Sequence, residues 1–118
     1  MTVKIDIKNQ TFPFELQDNP TANDFVKKLP LQLRLVRSLN NEFTCTLQEP
    51  LVDDSEGATS RARSGSVYYF SLWNAFVLVL RSVNLSPYRV VHIGDIKGEI
   101  TQLFENERIV AANIEVED

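Results

Sequence analysis

The sequence predicts a mainly β chain, a closed β-barrel of about eight strands with two short α-helices capping the ends. Three observations lead there. Short runs with the two-residue apolar period of half-buried strands recur along most of the chain; helical spacing occurs in only two brief stretches; and eight strands in an open sheet would carry exposed edges that closure removes. The 118 residues suit one domain, residues 1–118, with enough chain to bury a single core without disulfides or metal.

Val3, Ile5 and Ile7 alternate with polar residues, and Phe12, Phe14 and Leu16 do so again after "KNQT", as in two strands joined in a hairpin. "DNPTANDFVKKLP", residues 18–30, then carries its own start and stop. Asn19 is placed to cap the free amides of the first turn, Pro20 suits the first helical position, and Pro30 prevents continuation. Ala22, Phe25, Val26 and Leu29 fall on one face, so the helix has a single apolar stripe, suited to a lid whose Phe25 and Leu29 plug one end of the barrel.

Leu31, Leu33 and Leu35, then Phe43, Cys45 and Leu47 beyond an Asn-Asn turn, read as a second hairpin. Val67 to Leu72 and Ala75 to Leu80 flank "WN" and form a third. Its unbroken "FVLVL" implies a strand covered on both faces or closely crossed by another segment. Val90 to Ile93 is a short strand, Ile100, Leu103 and Phe104 mark one to two helical turns after Gly98, and Ala112, Ile114 and Val116 close the chain as a strand. Residues 48–66, "QEPLVDDSEGATSRARSGS", show no periodicity and are expected to form a mobile loop that trypsin cuts first, at Arg61 or Arg63.

Charge and composition exclude several classes. A net charge of −4 gives no footprint for nucleic acid. The start has no apolar run of signal-peptide length and nothing later reaches membrane-spanning length, so no membrane partner and a cytoplasmic location are expected. One cysteine, Cys45, and one histidine exclude a Cys/His zinc site, and "DDSE" at 53–56 lacks the twelve-residue spacing of a Ca²⁺ loop; no metal and no cofactor are expected.

"NPTANDFVKKLP" resembles the first helix of cyclophilins, and "RSGSVYYFSLWNAFVLVLRSVNLSPYRVVHIGDIKGEITQLF" is similar to the Gly-rich entry, central hairpin, later strand, Gly and helix of the small prokaryotic cyclophilin-like domains that keep only the minimal barrel. The resemblance implies a cyclophilin-like barrel. Cyclophilins isomerise X-Pro bonds with an Arg on the outer barrel wall beside a Phe-His pair, over a groove containing Gln-Phe-Phe and a Trp. By the resemblance Arg34 falls near the place of that Arg. The sequence departs elsewhere: "QLR" replaces Phe-His-Arg, "NAFVLVL" contains no Gln, and Leu85 falls near the groove Trp.

The candidate ligand-binding residues are Arg34, Tyr68, Tyr69, Trp73, Tyr88 and His92. Arg34 is either a solvated side chain on the barrel wall or a donor facing a ligand. Tyr68, Tyr69, Phe70 and Trp73 lie within six residues on a strand that sends alternate side chains to opposite faces, so they are either covered by residues 48–66 or line a groove. His92 points away from the core. Ser64, Ser66 or Ser71 with His92 and Asp95 contain the parts of a nucleophilic triad, but such a triad is defined by geometry. The reading favoured is a non-catalytic module binding a peptide segment or small molecule between the outer barrel wall and residues 48–66. The alternatives are a weak peptidyl-prolyl isomerase using Arg34, and an interaction subunit whose aromatics are buried in a homodimer.

Overall fold

In the computed structural model, which describes residues 2–38 and 42–117, the strands close into a barrel. The first hairpin is β1 (Thr2–Ile7) and β2 (Gln10–Leu16). Its two turn residues, Lys8 and Asn9, both have positive φ (50° and 67°), as a two-residue hairpin turn that follows the strand twist requires. Helix α1 (Pro20–Lys27) follows, then β3 (Leu31–Ser38) and β4 (Glu42–Thr46); the Asn-Asn turn expected between these two lies outside the described residues. After the short pieces β5 (Ala58–Thr59) and β6 (Arg61–Ala62) come β7 (Ser66–Phe70) and β8 (Ala75–Val79), linked by a 3-10 turn at Ser71–Trp73. The chain ends with β9 (Val83–Asn84), β10 (Val90–Ile96), α2 (Thr101–Phe104) and β11 (Ile109–Glu117).

Neighbouring strands run antiparallel in the order β2-β1-β11-β3-β4-β8-β7-β10, and β10 pairs back onto β2 through Gly94↔Leu16, Asp95↔Glu15 and Ile96↔Phe14. The ring is therefore closed with eight strands, as the alternating runs predict. Gly94 sits where this closure is tightest: a Cβ there would lie 2.2 Å from the Phe14 ring and 2.6 Å from the Glu15 carbonyl oxygen, so only glycine allows β2 to approach.

The two helices cover opposite ends. At one end Asn19 accepts from the Ala22 amide (2.8 Å) to cap α1, and Phe25 is wholly buried between Phe14 and Phe76, with ring centroids 6.2 and 5.9 Å away. At the other, Phe104 packs 4.7 Å from Phe43, and Arg37 reaches across to the carbonyls of Phe104 and Glu107 while its guanidinium stacks 4.8 Å over the Phe43 ring.

Residues 48–66 correct the expectation of an aperiodic mobile loop. Leu51 and Ala62 are buried, β5 adds to β10 through Val90↔Thr59 and Val91↔Ala58, and β6 pairs with β9 through Arg61↔Asn84 and Ala62↔Val83. The early part is tied across α1: Thr21 Oγ1 donates to the Val52 carbonyl (2.6 Å) and the Val52 amide donates to Asp24 Oδ2 (2.9 Å). The segment is a strap fixed at several points. The β6–β9 ribbon lies over the outer face of β7 and β8, where Ala62, Tyr68, Val77, Val79, Val83 and Leu85 form a second, smaller core outside the barrel. This is why β8 reads as an unbroken apolar run: all five of its residues are buried, on both faces.

Candidate functional site: a groove beside Arg34 and an exposed aromatic cluster

The alternation of β3 buries Leu33 and Leu35 inside the barrel and turns Gln32 and Arg34 outward. The same alternation governs the backbone. The Arg37 amide donates to the Arg108 carbonyl on the β11 side (2.8 Å), so Val36, Arg34 and Gln32 direct their backbone groups toward β4. The β3–β4 ladder, however, runs only from Ser38↔Glu42 to Val36↔Thr44. Beyond that point the two strands part: Gln32 and Arg34 still lie opposite Asn113 and Ala111 of β11, and Thr46 opposite Ala75 of β8, but among the described residues no β3–β4 pairing meets the edges they turn toward each other.

The parting opens a groove of about 960 Å³, walled by Gln32, Arg34, Cys45 and Thr46, with Lys28 and Glu49 at its rim. Lys28 is paired there with Asp24 (3.8 Å) and Glu49 (3.6 Å). Arg34 makes no hydrogen bond or ion pair with any described residue, and its exposed guanidinium offers a fork of five N–H donors to the groove. Cys45 is half-buried and its thiol approaches only the Thr46 carbonyl, at 3.5 Å.

The tyrosines go elsewhere. Tyr69 is 2 % exposed, with its ring in the barrel core; its hydroxyl accepts from the Leu51 amide (3.1 Å) and donates to Asn74 Oδ1 (2.7 Å). Tyr68 is 1 % exposed, its ring in the outer core 5.1 Å from that of His92 and its hydroxyl accepting from the Arg63 amide (2.8 Å). Neither presents a ring to a ligand, which corrects the expectation that they line a groove: the strap covers one and the barrel encloses the other.

Trp73 and Tyr88 are open to solvent, 63 % and 55 % exposed, and Leu72 beside them is 69 % exposed. Both rings meet Phe70 edge-on, Trp73 at 5.1 Å and Tyr88 at 5.8 Å between centroids. Phe70, grouped in the sequence with Tyr68, Tyr69 and Trp73 but not among the candidate ligand-binding residues, is the ring that joins the two exposed ones. This cluster and the Arg34 groove are separate surfaces. Between them lie Leu47 and Asn74, joined by two bonds of 2.9 Å, Leu47 N–H to the Asn74 carbonyl and Asn74 Nδ2 to the Leu47 carbonyl.

His92 lies on the outer side of β10, but it is largely covered and bonded. Asp95 Oδ1 accepts from both Ser66 Oγ and His92 Nε2, the latter at 2.8 Å. Burial opposes ionisation of Asp95, but the hydrogen bonds from Ser66 and His92 outweigh it and hold the carboxyl below the usual aspartate range. The carboxylate stands between serine and histidine, so no imidazole faces the hydroxyl and the three residues are not arranged as a Ser-His-Asp triad, which needs the histidine in the middle. His92 and Asp95, three apart, would face opposite ways in a regular strand. A register shift between His92 and Gly94 changes the parity and turns both outward.

Among the described residues no group of three or more His, Cys, Asp or Glu side chains is arranged to hold a metal ion, and no helix is long and apolar enough to cross a membrane. The family model described as the Cyclophilin-like family matches residues 5–115. The solution structure of a hypothetical protein from Archaeoglobus fulgidus has a similar fold, with a TM-score of 0.71 at 21 % identity over 98 % of this chain and 93 % of that one. No curated protein matches the chain significantly.

Proposed function

The chain belongs to the cyclophilin-like family, and we propose that this barrel is a non-catalytic module that binds an extended peptide segment in the groove between β3 and β4. The observation that carries the reading is the parting of the two strands after Val36↔Thr44, which leaves the facing backbone edges of Gln32, Arg34 and Thr46 along a groove of about 960 Å³. An extended peptide satisfies such edges by adding main-chain hydrogen bonds, and its side chains then fall alternately into the groove and away from it. Arg34 supplies a donor for a carbonyl or carboxylate of the bound segment.

Isomerisation of a proline bond asks more. The twisted amide exists only in the transition state, and only interactions that strengthen there lower the barrier. Arg34 is one such donor, but the walls beside it are Gln32, Cys45 and Thr46, with no aromatic floor to hold a proline ring in register, and small misplacements cost orders of magnitude in rate.

The test pairs binding with catalysis on proline-bearing peptides. Amide resonances of Gln32, Arg34 and Thr46 are expected to shift on peptide addition, Arg34→Ala to weaken binding by about tenfold, and isomerisation of a standard Ala-Ala-Pro-Phe substrate to stay at the uncatalysed rate. Robust isomerase activity that disappears in folded Arg34→Ala would establish the isomerase reading instead, and shifts confined to residues away from β3 and β4 would remove the groove from the function.

A further inference from the structure

Charge is divided unevenly along this chain. Residues 57–94 contain four of the twelve basic residues, Arg61, Arg63, Arg81 and Arg89, and none of the sixteen acidic ones. The other 80 residues therefore hold eight basic against sixteen acidic groups. The basic segment also builds one side of the molecule: the outer face of β7 and β8, the β6–β9 ribbon laid over it, and the start of β10.

At one end the outer core under that ribbon is open, and there Phe70, Trp73, Tyr88 and Leu72 meet solvent. The ribbon is fixed to this end by Ser60 Oγ, which donates to the Tyr88 carbonyl (2.8 Å), and by Arg89, whose guanidinium donates to the Ala58 carbonyl (2.6 Å). Arg61, at the start of β6, follows Ser60, and Arg89, just before β10, follows Tyr88, so the Ser60–Tyr88 bond sets an exposed arginine next in sequence to each of the two segments that meet beside the cluster. Glu42 faces Val79 at the end of β8 remote from Trp73.

We infer that the Phe70–Trp73–Tyr88 cluster and its arginine border form a docking surface for an acidic protein segment carrying an apolar anchor. Exposed aromatics with arginine at their edge are the side chains that dominate binding energy at protein interfaces, and a single-sign border selects partners of the opposite sign. A second copy of the chain in two-fold contact over the cluster is disfavoured, because such an interface brings two identical arginine borders together. Nucleic acid is disfavoured too: four arginines on a chain of net charge −4 release few counterions, and the acidic remainder repels a long polyanion. A short acidic segment has few charges to be repelled and one anchor to bury.

Trp73 is the only tryptophan, so its fluorescence reports on this surface alone. The probes are a synthetic peptide of glutamates around a Leu-Pro-Leu anchor, its lysine and glutamine counterparts, and a single-stranded DNA oligonucleotide. The glutamate peptide is expected to shift Trp73 emission to the blue, with affinity at least tenfold above that of the glutamine peptide and falling as salt rises. Arg61→Glu should lower that affinity by tenfold or more and Tyr88→Ala should abolish it, whereas Arg34→Ala should leave it unchanged, separating this surface from the β3–β4 groove. Equal responses to all three peptides, a response to the oligonucleotide alone, or a Trp73 shift that tracks protein concentration with a doubled sedimentation mass would overturn the inference.

Discussion

The hydroxyl of Tyr69 holds the strap to the barrel: it accepts from the Leu51 amide at 3.1 Å and donates to Asn74 Oδ1 at 2.7 Å. Asn74 adopts a left-handed backbone (φ 49°) and also binds the Leu47 carbonyl, so one buried oxygen links the start of the strap to the β7–β8 turn. Tyr69→Phe keeps the ring and leaves the Leu51 amide without an acceptor. The expected cost is about 1–3 kcal/mol, read as a lower urea midpoint at unchanged slope. A loss within error would mean that the hydroxyl carries no share of the closure.

Phe25 is the plug of α1, wholly buried between Phe14 and Phe76. Phe25→Ala should cost about 3–5 kcal/mol, because the transfer energy of the ring is lost and the rings around it cannot collapse fully into the space. Equilibrium denaturation measures it, and a loss below about 1 kcal/mol contradicts the lid role of the helix.

The strap also predicts how a protease behaves. Arg61 and Arg63 are exposed, yet Arg61 is paired with Asn84 and the Arg63 amide is held by Tyr68 Oη at 2.8 Å. A protease needs an extended, released backbone, so Tyr68→Phe should accelerate tryptic cleavage at these two arginines relative to the parent chain, with products identified by mass. First cleavage at Lys27 or Lys28 would show that α1, not the strap, is the looser element.

Acid should weaken the fold through Asp95. Its carboxyl is held below the usual aspartate range in the folded chain, so the unfolded chain takes up a proton first as pH falls. The contribution of Asp95 is therefore complete above the ordinary aspartate value of about 4 and is lost as pH drops through the lowered folded value. Urea midpoints measured from neutral pH down to strong acid should fall more steeply in the parent than in Asp95→Asn, and parallel profiles would remove Asp95 from the acid response.

The barrel was legible because its evidence is local. Each hairpin repeats a two-residue period, Asn19, Pro20 and Pro30 bracket α1, and "FVLVL" records burial on both faces of β8. The strap was not legible, since β5 and β6 are two residues each, too short to show any period, and their partners lie 21 or more residues away along the chain. The site was half legible. Alternation turned Arg34 outward, and Trp73 is exposed because it stands in the turn after β7, but sequence alone does not reveal where β3 and β4 separate or that a bulge puts His92 and Asp95 on one face. The tyrosine hydroxyls were the misleading feature: each accepts from a backbone amide of the strap, Leu51 for Tyr69 and Arg63 for Tyr68, so both rings are enclosed where a ligand surface was expected.

The ring of strands is stitched unevenly. Pairing is long from β2 through β1 and β11 to β3, and from β4 through β8 and β7 to β10, but short at β3–β4, from Val36↔Thr44 to Ser38↔Glu42, and at β10–β2, from Gly94↔Leu16 to Ile96↔Phe14. Mechanically the molecule is two four-stranded half-shells meeting along two brief hems. One is the continuous stretch from Glu42 to Ile96; the other joins both chain termini, so that strands from the first and last thirds of the sequence must meet before it exists. The continuous half-shell is drawn from one stretch of chain and carries the second core, so its strands meet without waiting for the termini, while the hems, with the fewest paired residues, are the lines along which the shell opens first.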